Sequence, residues 1–187
     1  MMPVQLNMFE PPPDFPDPAP ALTDCPLVID GLTVRPTVLL DLNFTLVGDS
    51  LLKRRQGGSY LSKILKEHYR TWLVELLRPY RVILWTVRFK TYQETTLARI
   101  QELTDWQPDH WFFNPTDSYE AHLVKERYLL DLVIPQFGRP ADTAYLALES
   151  NQLTRAMLKR YGIPAVKIDT MSHWRNLPGS DFPPYVR

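Results

Sequence analysis

The sequence predicts an α/β fold, a three-layer, Rossmann-like parallel sheet of about five strands, within residues 27–176. Short aliphatic or aromatic runs alternate with longer stretches of helical spacing, the pattern of parallel strands joined by crossover helices. The runs are apolar throughout rather than alternately apolar and polar, as strands covered on both faces are. Proline, which fixes φ and lacks an N–H, is gathered at the ends: 8 of 18 fall in residues 1–26 and 3 in residues 178–187. Residues 1–26 therefore read as an extended tail and residues 177–187 as a second, irregular one.

Val28–Val34, split by Asp30-Gly31, reads as a small hairpin, and Thr37–Asp41 as the first strand of the body. Tyr60–Leu77 carries Leu61, Ile64, Leu65, Tyr69, Trp72, Leu73, Leu76 and Leu77 on one stripe, which predicts a single amphipathic helix ending before Pro79. Val82–Thr86 reads as a strand, Gln93–Leu103 as a helix, His110–Phe113 as a short aromatic strand, and Tyr119–Ile134 as a longer helix. Ala144–Leu148 reads as a strand, Gln152–Tyr161 as a helix closed by Gly162 where φ must be positive, and Ala165–Ile168 as a strand. No internal repeat is visible.

Composition narrows the function. Twenty-one basic residues balance 21 acidic ones, so the chain does not bind nucleic acid by bulk charge, although a local basic patch is compatible with zero net charge. The lone Cys25 excludes an internal disulfide and fits a reducing compartment. No apolar run approaches the ~20 residues of a membrane helix, and the N-terminus lacks the layout of a signal peptide. The expectation is a soluble cytoplasmic protein without membrane contact. None of the four histidines, nor Cys25, has metal-ligand spacing.

Ligands of open parallel sheets gather beyond the carboxyl ends of the strands. The polar residues expected there are Asp41, Asn43 and Thr45 after the first strand, Thr86 and Arg88 after the second, and Glu149, Ser150 and Asn151 after the fourth. Lys125, on the intervening helix, can point at the same crevice. Asp41 and Glu149 are hard oxygen ligands for Mg²⁺, while Thr86 and Lys125 offer a hydrogen bond and a positive charge to phosphate oxygens. Each residue alone also has a plain structural reading: a helix cap for the acids, a satisfied turn for Thr86, an exposed helix face for Lys125-Glu126-Arg127.

The order Asp41-Leu42-Asn43-Phe44-Thr45-Leu46-Val47, then Thr86, Lys125 and Leu148-Glu149-Ser150-Asn151 resembles the haloacid dehalogenase superfamily over residues 37–168. Within it, Trp85-Thr86-Val87-Arg88, Glu94–Leu97, Lys125–Tyr128 and Glu149–Pro164 are most similar to the phosphatase domain of polynucleotide kinase–phosphatases. The resemblance implies Mg²⁺-dependent phosphomonoester hydrolysis in which Asp41 is the nucleophile and forms an aspartyl-phosphate. It further implies that Thr86 and Lys125 hold the phosphoryl group, that Thr45 braces the loop, that Thr45 and Arg88 bind substrate, and that Asp41, the Asn43 carbonyl and Glu149 hold the metal. Two departures stand out. The family's second aspartate, its general acid and base, is Asn43, and loss of such help costs ~10²–10⁴ in rate. The late acidic pair reads Glu149-Ser150, so Ser150 is expected to support only a water-mediated contact with the metal. A phosphohydrolase of impaired activity and a catalytically silent phosphate-binding protein are both compatible with this set.

About 40 residues separate Asp41 from Thr86 and a similar stretch Thr86 from Lys125, too few for a cap domain. By the resemblance, an open, capless site suits large substrates such as nucleic-acid ends. Lys53-Arg54-Arg55-Gln56-Gly57-Gly58 lies where it could reach a phosphodiester backbone, or is simply a solvated loop. Trp106, Trp111 and Phe112 read as core rather than as base-stacking rings. In the tail, Gln5-Leu6-Asn7-Met8-Phe9 resembles the short peptide with which bacterial proteins dock on the DNA sliding clamp; Gln5, Leu6, Met8 and Phe9 would be its contacts, carried on a proline spacer.

Overall fold

The computed structural model describes residues 27–29, 32–34, 36–50, 57–116 and 118–168. The two tails and Lys53–Gln56, for which the sequence raised clamp and nucleic-acid contacts, lie outside the described residues. The hairpin is present as antiparallel β1 (Leu27–Ile29) and β2 (Leu32–Val34). The body is a five-stranded, all-parallel sheet in the order β5-β4-β3-β6-β7. Its strands are β3 (Thr37–Asp41), β4 (Arg81–Phe89), β5 (His110–Asn114), β6 (Tyr145–Leu148) and β7 (Ala165–Val166). Helices flank it on both sides, which is the expected three-layer arrangement.

Alternation along the strands builds two cores. Val38, Leu40, Val82 and Leu84 face one side and pack with Leu73, Val74 and Leu77 of α2 (Thr71–Leu77) and Leu97 and Ile100 of α3 (Gln93–Thr104). Leu39, Ile83, Trp85 and Ala147 face the other, against Val124 and Tyr128 of α4 (Ala121–Tyr128) and residues Met157 and Leu158 further along the chain. At roughly 1.5–3 kcal/mol per fully buried large aliphatic side chain, these layers hold the strands in register. Register then places chemistry: Asp41 stands level with Trp85 of β4, on the α4 side of the central strand. Among the described residues no helix is long and apolar enough to cross a membrane.

Several expectations need correction. The single helix over Tyr60–Leu77 is two, α1 (Tyr60–Ile64) and α2, because residues 65–70 turn aside to pair with the loop after β3. The Gly48 N–H donates to the His68 carbonyl and the Arg70 N–H to the Leu46 carbonyl, bonds that replace the helical ones. The long helix expected to Ile134 instead passes through a π-helical turn, Leu129–Val133, into α5 (Ile134–Phe137), whose Pro135 has no N–H to offer a regular helix. Trp111, read as core, is 37% exposed, whereas Trp106 is buried. Thr86 and Arg88 lie within β4 rather than beyond it, since the strand runs on to Phe89. The last helix, α6 (Gln152–Arg160), is capped by the Asn151 side chain and followed by Gly162 at φ 73°, as its sequence predicts.

Candidate active site at the carboxyl edge of the sheet

The loop after β3 is a tight one. Its Phe44 adopts a left-handed φ of 64°, uncommon for a residue with a side chain. Backbone N–H groups of Leu46 and Val47 reach back to the carbonyls of Asp41 and Leu42, and the Ser50 hydroxyl accepts from the Phe44 N–H at 2.8 Å. The buried Arg70 guanidinium donates to the Thr45 carbonyl and lies 3.5 Å from those of Phe44 and Val47. The chain direction through residues 43–47 is thus imposed by residues 50 and 70.

At the head of this loop Asp41 meets partners from three other places in the chain. Its Oδ1 accepts from Lys125 Nζ at 2.7 Å, and its Oδ2 from Thr45 Oγ1 at 3.0 Å and Ser150 Oγ at 2.8 Å. Lys125, on α4, also donates to Glu149 Oε2 at 2.6 Å and lies 5.4 Å from the centre of the Trp85 ring. Glu149 Oε1 accepts from the Asn151 N–H at 2.8 Å. Arg155, on α6, holds the turn by donating to the carbonyls of Glu149 and Ser150. Asp41, Lys125 and Glu149 are all buried, Glu149 completely.

Two carboxylates share one ammonium here. Burial by itself would depress the Lys125 pKa, but the charges and hydrogen bonds of Asp41 and Glu149 outweigh it and hold that pKa above the ordinary lysine value. Burial pushes Glu149 up to about 7, and the Asp41 charge adds to the rise against the pull of Lys125.

A second buried cluster adjoins the first. Arg88, 2% exposed, is paired with the fully buried Glu67: NH1 donates to Oε2 at 3.1 Å and NH2 to Oε1. NH1 also donates to Thr96 Oγ1 at 2.8 Å, and NH2 to Asn43 Oδ1 at 3.0 Å. Tyr69 donates to Glu67 Oε2 at 2.9 Å, and burial raises its phenol to about 12, so it stays protonated. The Arg88 N–H donates to Thr86 Oγ1 at 3.1 Å.

The structure thus joins Asp41, Thr45, Lys125 and Glu149 directly, with Asn43 bonded to Arg88 and Thr86 linked through the Arg88 backbone. Among the described residues, no hydrogen bond connects Thr86 to Asp41, Lys125 or Glu149. Arg88 is committed to Glu67 inside the protein and not to the open crevice. Ser150 donates to Asp41 and lies 3.2 Å from the Asn43 carbonyl, contacts that the sequence reading did not include. Glu67 and Arg70 were not singled out from sequence, because the apolar spacing of residues 60–77 runs past them without interruption.

Asp41 Oδ2, the Asn43 carbonyl and Ser150 Oγ lie together and could hold a divalent cation, whereas Glu149, a ligand by the resemblance, is turned to Lys125 and to the Asn151 backbone. Among the described residues no three His, Cys, Asp or Glu side chains form a metal cage. One carboxylate with two neutral oxygens still fits Mg²⁺, which keeps several waters and shares the oxygens of a substrate phosphate.

Comparison with solved structures places this architecture beside chains of the Pnkp1/Rnl/Hen1 RNA repair complex. One superposes with a TM-score of 0.54 at 19% identity, over 72% of this chain and 42% of that one. A second structure of the Pnkp1/Rnl/Hen1 complex gives 0.55 at 20% identity, over 73% and 47%. The likeness is one of fold, and this chain spans less than half the length of those it matches. No family model matches the sequence, and no curated protein does.

Proposed function

We propose that the chain is a phosphohydrolase of the haloacid dehalogenase type, taking the phosphoryl group of a phosphomonoester onto Asp41, with nucleic-acid ends or another large phosphorylated molecule as substrate. The observation that carries this reading is the convergence of Asp41, Lys125, Glu149 and Ser150, separated by up to 109 residues, at the carboxyl edge of a parallel sheet. Asp41 is the nucleophile, Lys125 offsets charge on the transferring group, and Glu149 keeps Lys125 oriented. Thr86 has a hydroxyl proton to give a phosphate oxygen, and Thr45 fixes the Asp41 carboxylate. Asp41, the Asn43 carbonyl and Ser150 would hold Mg²⁺, which supplies charge neutralisation between two anions. The short intervals on either side of Thr86 leave the crevice uncapped, and the fold it shares with chains of an RNA repair complex supports a nucleic-acid end as substrate.

A second reading, a silent phosphate-binding protein, is favoured by Asn43, which can neither protonate a leaving oxygen nor activate water. Hydrolysis of an aryl phosphate with Mg²⁺ by the native protein, Asp41→Ala and Asn43→Asp separates the two. Native turnover abolished in Asp41→Ala supports the enzyme. Turnover in Asn43→Asp with no aryloxide released at all by the native protein supports the silent form, and no release in either abandons the phosphohydrolase reading.

A further inference from the structure

Asn43 does more than lack a titratable group. Arg88 has only donors to offer, so the Asn43 atom 3.0 Å from its NH2 must be the amide oxygen. Arg88 cannot turn away, because the buried Glu67 and Thr96 take both hydrogens of its Nη1 and Glu67 takes the second hydrogen of its Nη2. The amide NH2 of Asn43 is then directed away from Arg88, and among the described residues nothing accepts from it. Asn43 is itself half-buried, on the loop whose carbonyl reaches Ser150 beside Asp41.

We propose that Asn43 is a fixed hydrogen-bond donor to the phosphoryl group, aimed by the Glu67–Arg88 pair, and that the site consequently retains that group on Asp41 instead of releasing it. This rests on the phosphohydrolase reading and adds to it the fate of the intermediate. In the first step an Asp41 oxygen bonds to phosphorus while the bond to the leaving oxygen breaks. An aryloxide departs with the electron pair and needs no protein acid. In the second step a water oxygen bonds to phosphorus and the Asp41 oxygen leaves, which requires a base for the water proton. The Asn43 amide is no base, and as a donor it steadies the bound group. Glu67 and Arg88 are positioning residues that act through Asn43.

The test is rapid mixing with an aryl phosphate and Mg²⁺, read by intact-protein mass for one added phosphoryl group and by released aryloxide. The native protein should show one equivalent of aryloxide released in a burst, with a matching long-lived adduct absent from Asp41→Ala. Asn43→Ala should slow adduct formation by about tenfold or more, the worth of a hydrogen bond to a charged group. Asn43→Asp should shorten the adduct's lifetime at least about tenfold by restoring a base. Asn43→Gln, which keeps the donor at a different reach, should fall between native and Asn43→Ala. Absence of adduct and aryloxide from native protein and Asn43→Asp alike overturns the phosphohydrolase reading itself. An adduct that forms and decays equally fast in native protein, Asn43→Ala and Asn43→Asp overturns the Asn43 proposal alone.

Discussion

Replacing Lys125 by methionine keeps the length and most of the volume of the side chain while removing its charge. In the native protein its ammonium, 1% exposed, lies 2.7 Å from Asp41 and 2.6 Å from Glu149, which are 8% and 0% exposed. The Lys125→Met substitution would leave two adjacent buried carboxylates with no cation between them. Breaking a buried pair from one side costs about 3–5 kcal/mol, a large share of the roughly 5–15 kcal/mol available to a domain. The loss should depend on pH, because a buried carboxylate without its cation escapes the cost by taking up a proton. Urea unfolding followed by circular dichroism should show the full loss at pH 8 and a smaller one at pH 5.5. Adding Glu149→Gln to Lys125→Met should recover part of the loss at pH 8, since the two residues act as a unit. A loss below about 1 kcal/mol at pH 8, or one equal at both pH values, would refute the idea of one ammonium shared by two acids.

Three further outcomes follow from the same geometry and from the tail. Glu149 titrates near 7 in the folded protein, above its ordinary 4.5. Its contribution is therefore fully present below about pH 4.5 and lost as pH rises through 7, and Glu149→Gln should flatten that decline in urea midpoints between pH 5 and 8. Ser150→Asp sets a second carboxylate against Asp41 Oδ2 and the Asn43 carbonyl, and should tighten Mg²⁺ binding about tenfold or more by calorimetry; unchanged affinity would remove those oxygens from consideration as the cation site. Purified bacterial sliding clamp should be retained by the native chain and lost with Leu6→Ala and Phe9→Ala together, and failure of a peptide of residues 1–12 to bind at high micromolar concentration ends the proposal of a clamp partner.

The parallel sheet was legible because its signals are local and repeated. Thr37–Leu40 and Val82–Trp85 are apolar almost without a break and the polar Asp41 and Thr86 follow them, although the second strand runs on to Phe89. Lys125 could be assigned to the crevice because it lies on a helix between two strands, in a stretch that resembles the lysine helix of the haloacid dehalogenase superfamily. What escaped was decided by partners distant in sequence. Nothing near Glu67 announces that Arg88, 21 residues on, will bury it, and the turn that carries Glu67 breaks a stretch whose spacing alone predicts an unbroken helix. The bond from Ser150 to Asp41 escaped for a related reason. A hydroxyl in place of an acid reads as a loss of charge, while its direct bond to Asp41 depends on the register of β3 with β6, which only the folded sheet supplies.

Asp41, Lys125 and Glu149 come from the central strand, from a helix packed on one face, and from the end of the adjacent strand. The pull of the one ammonium on both acids therefore works as a clasp for the architecture whether or not any phosphate ever arrives. A descendant that had given up chemistry would still be under pressure to keep all three. Persistence of this triad among related chains is consequently no witness to turnover; the identities at positions 43 and 150 are the more telling record of what the crevice has been selected to do.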